Sequence, residues 1–186
     1  MLKQIIYFQK PGKENTVETL QAAKKRAIEL GIRQVIVASS HGSTALKAAD
    51  IFKDTGIEII AVGISNSFAE EGWNLKPDER LKMEKQGIKV VVSLHSLEAG
   101  VAESFKCLHS PENVIADTLR CFSQGLKVAV EITIMAAEAG LISTDSNLVA
   151  IGGSEGGADT ALVLKPVFAK EFRNLKIQEI IAKPYL

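Results

Sequence analysis

Cysteine, aromatic residues and long apolar runs are all scarce in this sequence. The two cysteines, Cys107 and Cys121, are too few and too far apart for a disulfide framework or a C-x-x-C pair. We therefore expect free, buried or half-buried thiols in a reducing compartment. No apolar run approaches the roughly 20 residues of a membrane span, and residues 1–5 lack the pattern of a signal peptide. These absences predict a cytoplasmic protein that does not bind membranes.

An excess of one charge is also absent. Lysine plus arginine and aspartate plus glutamate number 22 each, so no overall field favours nucleic acid as a partner. No cluster of histidine, cysteine or carboxylate side chains has the spacing of metal ligands. The length of 186 residues suits one domain, predicted to span residues 1–186.

Short β-branched runs alternate with longer helical patterns, which is typical of a parallel sheet covered by helices. The low aromatic content of 5% agrees with the Val, Ile, Leu and Ala cores of such proteins. The sequence therefore predicts an α/β protein with a mostly parallel sheet. The expected strands are residues 5–8, 34–38, 57–62, 88–94, 147–152, 160–164 and 177–182.

Three longer helical patterns lie between these strands, and a short helix is expected just before residue 88. The first begins at Asn15 or Thr16 and ends at Gly31, and the second covers about residues 43–54. The third begins at Ser110 and reads as one helix to residue 140, with Gly125 marking either a bend or a close packing contact. Its second half is apolar almost all round, so the sheet, a second layer or another subunit should cover it.

A turn rich in hydroxyl groups follows the second strand and opens the second helix. Open α/β sheets bind ligands at this edge, and a helix start offers unsatisfied N–H groups and the positive end of its dipole. The turn therefore predicts a phosphate site, although Ser40 or Ser43 could simply cap the helix. It is not a P-loop, because the spacing and the lysine are missing. The residues are Ser39, Ser40, His41, Gly42, Ser43 and Thr44.

A glycine-rich segment follows the fifth strand. Such a segment can let backbone amides close on a ligand, and it can equally be a plain hairpin connection. Its candidate ligand-binding residues are Gly152, Gly153, Ser154, Gly157, Asp159 and Thr160.

Four further residues have two interpretations each. Glu131 lies in an apolar segment, so it needs a partner, either for structure or at the ligand cleft. His95 follows the fourth strand and lies either in the cleft or in a loop hydrogen bond. His41 either supports a phosphate dianion when protonated or is simply exposed. Trp73 either anchors a loop on the core or stacks on a ligand ring.

Two stretches resemble the C-terminal domain of pyruvate kinase. One runs from Val35 through the turn to Val62, and the other from Asn147 through the glycine-rich segment to Leu164. The resemblance covers most of the chain and is closer to the stand-alone proteins built on this domain. Phe122-Ser123-Gln124-Gly125, Val130-Glu131-Ile132, Met135-Ala136-Ala137 and Gly157-Ala158-Asp159-Thr160 are similar to that group. The resemblance implies a three-layer α/β/α sandwich with a mostly parallel sheet.

The resemblance also implies a function. In pyruvate kinases the turn and the glycine-rich loop bind the phosphates of a sugar bisphosphate effector, a role that carries over to Ser39, Ser40, Gly42, Ser43 and Thr44. The stand-alone members are associated with flavin mononucleotide (FMN), whose isoalloxazine ring would occupy the adjoining cleft. The sequence lacks the barrel that transfers the phosphoryl group, so pyruvate kinase activity is not expected.

Three functions follow as hypotheses. The first is a domain that binds a phosphorylated small molecule, with FMN as the expected cofactor. The second is a non-catalytic sensor of a sugar phosphate or nucleotide that signals through a homo-oligomer. The third is a small hydrolase or isomerase with Glu131 or His95 as general base, although no pair of nucleophile and base is visible in the sequence.

Overall fold

The fold is built around the strand of residues 34–38, which is apolar on both faces. The computed structural model describes residues 2–98, 100–107 and 109–185; Met1 and Leu186, the ends of the predicted domain, lie outside them. The seven strands are β1 (Ile6–Phe8), β2 (Gln34–Ala38), β3 (Glu58–Gly63), β4 (Lys89–Val92), β5 (Leu148–Gly152), β6 (Thr160–Lys165) and β7 (Lys176–Pro184). Each predicted strand is present, with ends that differ by no more than two residues.

All seven strands form one sheet in the order β1-β7-β6-β5-β2-β3-β4. The pairs on both sides of β2 are parallel, and Val35 is level with Ile59 on β3 and Val149 on β5. Of the strands that the structure describes, β6 alone runs in the opposite direction to its neighbours. The prediction of a mostly parallel sheet is confirmed.

Helices cover both faces of this sheet. They are α1 (Thr16–Glu29), α2 (Ser43–Phe52), α3 (Pro77–Lys85), α4 (Val101–Ser104), α5 (Pro111–Arg120) and α6 (Gln124–Glu138). Because side chains alternate along a strand, Val35 and Val37 join the core beneath α1, α2 and α3, whereas Ile36 joins the core beneath α5 and α6. The architecture is thus the expected three-layer α/β/α sandwich.

The long third helix was predicted wrongly as one piece. It ends at Arg120 and restarts at Gln124, because the Ser123 hydroxyl accepts a hydrogen bond from the Leu126 N–H at 3.0 Å and caps α6. Gly125 is a packing contact inside α6, since a Cβ there would lie 2.3 Å from Thr160 Oγ1. The apolar second half is covered by the sheet, as predicted.

The burial prediction for the two cysteines needs correction. Cys107 and Cys121 are exposed, not buried or half-buried. In α1, Val17 is exposed, and the buried polar residues on this helix are Thr16 and Thr19. Their hydroxyls bond to the backbone of Ala158, so α1 packs against the end of the glycine-rich segment as well as against the sheet.

The fold also bears on membrane binding. Among the residues that the structure describes, no helix has both the length and the apolar character needed to cross a bilayer.

Candidate functional site

A cleft of about 440 Å³ opens at the carboxyl ends of β2 and β3. This volume lies within the usual range of small-molecule sites, about 300–1,000 Å³. Four parts of the chain form its wall: the turn before α2, the glycine-rich segment, one face of α6, and residues from the loops after β3 and β4. The predicted site residues that line it are Ser39, Ser40, His41, Ser43, Thr44, His95, Glu131, Gly153 and Gly157.

The turn presents a helix start to the cleft. Gly42 precedes α2 with φ 84°, and its carbonyl accepts the Leu46 N–H at 2.9 Å. The Ala45 N–H bonds to Ser39 Oγ at 3.2 Å, so Ser39 caps the helix. Within the described part of the chain, the N–H groups of Ser43 and Thr44 have no hydrogen-bond acceptor. Two backbone donors therefore remain for an anion.

Gly42 and His41 shape this turn in different ways. Gly42 does not line the cleft; its positive φ is the conformation that starts the helix, and a Cβ there would meet Met83 Sδ at 3.2 Å. His41 lines the cleft and is exposed, with Nδ1 at 3.2 Å from Glu79 Oε2. The Lys76 N–H and then His41 lower the pKa of Glu79, so this carboxylate is ionised beside the histidine.

The glycine-rich segment divides into a lining part and a supporting part. Gly153, Gly156 and Gly157 line the cleft, whereas Gly152, Ser154, Asp159 and Thr160 do not. The carboxylate of Asp159 is fully buried and accepts hydrogen bonds from Gly12 N–H, Ser154 N–H and Thr160 Oγ1–H at 3.1, 3.1 and 2.8 Å. It ties this segment to the chain before α1. Asp159 therefore supports the lining part of the segment and does not itself line the cleft.

Asp159→Ala should loosen this segment without removing a lining side chain. We expect the free energy of unfolding to fall by about 2 kcal/mol, because two half-buried N–H groups lose a charged acceptor. Urea unfolding followed by circular dichroism measures the loss. Asp159→Asn is the matched control, since it keeps one carbonyl acceptor and should retain part of the stability. Equal stability of wild type and Asp159→Ala would contradict the supporting role.

Three aromatic rings form one wall of the cleft. Phe68 stacks on Trp73 with centroids 6.0 Å apart and planes 21° apart, and on His95 at 5.2 Å and 25°. Trp73 is 51% exposed, so it does not anchor its loop on the core as one interpretation had it. His95 Nε2 accepts the Ser65 N–H at 3.4 Å, and burial lowers the pKa of its imidazole. A neutral His95 thus both lines the cleft and bonds to a loop.

The α6 side of the cleft carries a network of buried and half-buried charges. Lys127 Nζ lies 2.7 Å from Glu131 Oε2 and 2.5 Å from Glu98 Oε2, and the Leu97 N–H donates to Glu131 Oε1 at 3.1 Å. Arg120 pairs with the other oxygen of Glu98. Burial disfavours ionisation of Glu98, but hydrogen bonds from Lys127 and Arg120 outweigh it and lower its pKa. The expected partner of Glu131 is therefore present.

The sequence predictions missed several residues of this cleft. Lys127 had a readable signal, because it lies one helical turn before Glu131 in an otherwise apolar stretch. Glu98, Arg120 and Phe68 gave none, since nothing local links them to the turn.

Comparison with known proteins identifies the fold family. The family model described as the pyruvate kinase alpha/beta domain matches residues 18–164. The chain belongs to this family. The matched region contains every residue that lines the cleft, from Ala38 to Gly157.

Similar solved structures include pyruvate kinases from Cryptosporidium parvum. One is 16% identical, with a TM-score of 0.43, and the match covers 82% of this chain and 23% of the enzyme. Another, in complex with ADP, is 17% identical with a TM-score of 0.40, over 91% of this chain and 24% of the enzyme. This member of the pyruvate kinase alpha/beta domain family thus spans about a quarter of the length of these enzymes.

Proposed function

We propose that this chain binds a phosphorylated small molecule with a flat ring, and that FMN is that molecule. One observation carries the proposal: the unbonded N–H groups of Ser43 and Thr44 open on the same cleft as the stacked rings of Phe68 and Trp73. A helix start with free N–H groups favours a phosphate, and aromatic faces favour a planar ring.

The chemistry of the lining residues fits FMN. The hydroxyls of Ser40, Ser43 and Thr44 add donors around the two backbone N–H groups, and these residues would hold the phosphate. Phe68 and Trp73 would hold the ring, and the apolar part of α6 would exclude water from it. When bound, FMN supplies electron-transfer chemistry, while this chain supplies binding and orientation.

The phosphate contribution can be measured by comparing FMN with riboflavin. We expect the wild-type protein to bind FMN about tenfold or more tightly than riboflavin, because charge-assisted hydrogen bonds are each worth about 1.5–3 kcal/mol. Quenching of flavin fluorescence gives both dissociation constants. Equal affinity for FMN and riboflavin would contradict a phosphate-binding site in this cleft. Colourless protein whose melting temperature rises with sugar bisphosphate but not with FMN would favour the sensor hypothesis instead.

Ser43→Asp separates phosphate binding from folding. Ser43 is the first residue of α2 and is exposed. A carboxylate there interacts favourably with the helix dipole but repels a phosphate. We expect the Kd for FMN to rise about tenfold or more, the Kd for riboflavin to stay the same and the melting temperature not to fall.

Ser43→Asn is the matched control, since it has nearly the same size as the aspartate variant and no charge. It should retain the preference for FMN over riboflavin. If Ser43→Asp and Ser43→Asn bind FMN equally well, the phosphate does not lie at the start of α2.

A further inference from the structure

One face of α6 lies along the cleft, and two of its side chains are charged. Gln124, Lys127, Val128, Glu131, Ile132 and Met135 line the cleft at helical spacing. Lys127 and Glu131 are only 2% and 3% exposed as residues. The rest of the helix packs against the sheet through apolar side chains. The charged pair is thus confined to the wall that a ligand would touch.

Packing alone does not require this pair. Burying two charges carries a large desolvation penalty, and well-packed apolar residues of similar size are often as stable or more so. The position is also fixed on several sides, because Leu97 N–H bonds to Glu131 and Arg120 holds Glu98. A rigid pair of charges at a cleft wall is the arrangement expected of a recognition element.

The pair also has unused hydrogen-bonding capacity. The ammonium group of Lys127 has three N–H donors, and Glu98 and Glu131 take two of them. Among residues 2–98, 100–107 and 109–185, no other acceptor contacts Lys127 Nζ. One donor therefore remains beside the cleft. The two oxygens of Glu131 each accept one hydrogen bond and have a lone pair left.

We infer that Lys127, held by Glu131 and Glu98, selects ligands whose ring has a hydrogen-bond acceptor on its edge. The ligand class is a phosphorylated heteroaromatic compound, with a carbonyl or ring nitrogen for the free Lys127 donor. This inference rests on the proposed function, because it assigns the ring end of the same cleft. A sugar phosphate without a ring of this kind would not use the pair.

The test combines two proteins with three ligands. The variant Lys127→Met/Glu131→Gln removes both charges together, so neither is left stranded, and the glutamine still accepts the Leu97 N–H. Compared with wild type, we expect the Kd values for FMN and riboflavin to rise by the same factor, about tenfold or more. The ratio of the two Kd values should stay constant. The affinity for ribose 5-phosphate, which has no heteroaromatic ring, should not change.

Lys47→Met is the matched control, because Lys47 is exposed on α2 and does not line the cleft. It should bind all three ligands as wild type does. A ligand series on the wild-type protein gives a second measurement that does not depend on a variant. 1-Naphthyl phosphate has a flat ring and a phosphate but no acceptor on the ring, so it should bind about tenfold or more weakly than FMN.

The outcomes separate this inference from the proposed function. Unchanged flavin affinity in the double variant, with wild-type binding intact, overturns the ring-edge assignment alone. Weaker ribose 5-phosphate binding also overturns it, since the pair would then act on the phosphate end. Tight binding of 1-naphthyl phosphate contradicts the need for an acceptor. A wild-type protein that binds neither flavin overturns the proposed function and this inference with it.

Discussion

Lys127→Met alone should lower the free energy of unfolding by about 4 kcal/mol, the usual effect of breaking a buried ion pair on one side. Among the residues that the structure describes, Glu131, itself 3% exposed, would keep only the Leu97 N–H as a partner, and Glu98 would keep only Arg120. The loss comes from stranded negative charge, because methionine fills nearly the same space as the lysine stem. Urea unfolding at pH 7, followed by circular dichroism, measures it.

The control for this prediction is the second substitution. Adding Glu131→Gln removes the stranded charge, so the double variant should be more stable than the single one by about 2 kcal/mol. Equal stability of the single and double variants would show that the pair does not act as a coupled unit.

Gly152→Ala should lower the free energy of unfolding by about 3 kcal/mol, since it overpacks the contact between α6 and β5. An ideal Cβ at Gly152 would lie 2.3 Å from the Gly125 carbonyl oxygen and 3.0 Å from the Ala129 nitrogen. Both atoms are backbone, so the helix itself must move. Gly152 does not line the cleft, and the ratio of FMN to riboflavin affinity should therefore be unchanged.

Gly100→Ala is the matched control for Gly152→Ala. No atom lies within 4 Å of a Cβ at Gly100, and its φ of −96° suits any residue. Its stability should stay within about 0.5 kcal/mol of wild type. If both variants lose similar stability, the effect of Gly152→Ala does not come from the close approach of α6 to β5.

The sheet could be predicted from the sequence because burial on both faces leaves a direct signal. The run Gln34–Ala38 has no polar face, so it reads as a central parallel strand, and the buried runs of β5 and β6 could also be recognised as strands. The break before α6 escaped prediction for a local reason. The Ser123 cap is one hydrogen bond, whereas the apolar periodicity continues through the break.

The candidate site was only half predictable. The turn of residues 39–44 carries its chemistry in consecutive residues, and the structure brings five of those six residues to the cleft. Only the Lys127–Glu131 pair of the buried network could be read in this way, because Glu98 is remote from Lys127 in sequence and joins it and Arg120 only through packing. Asp159 was predicted as a ligand-binding residue, and its supporting role was missed. The hydrogen bond that shows this role joins it to Gly12, 147 residues away, so it leaves no signal in the local sequence.

The reversed direction of β6 fixes the glycine-rich segment that lines the cleft. Because β5 and β6 are antiparallel neighbours, the glycine-rich segment between them is held at both ends by one sheet, and Asp159 and Thr16 fasten it to the start of α1. A connection fixed at so many points cannot swing aside as a gate. For a ligand of this cleft we therefore expect the rates of association and release to depend on the loop that carries the exposed Trp73 ring rather than on the glycine-rich segment.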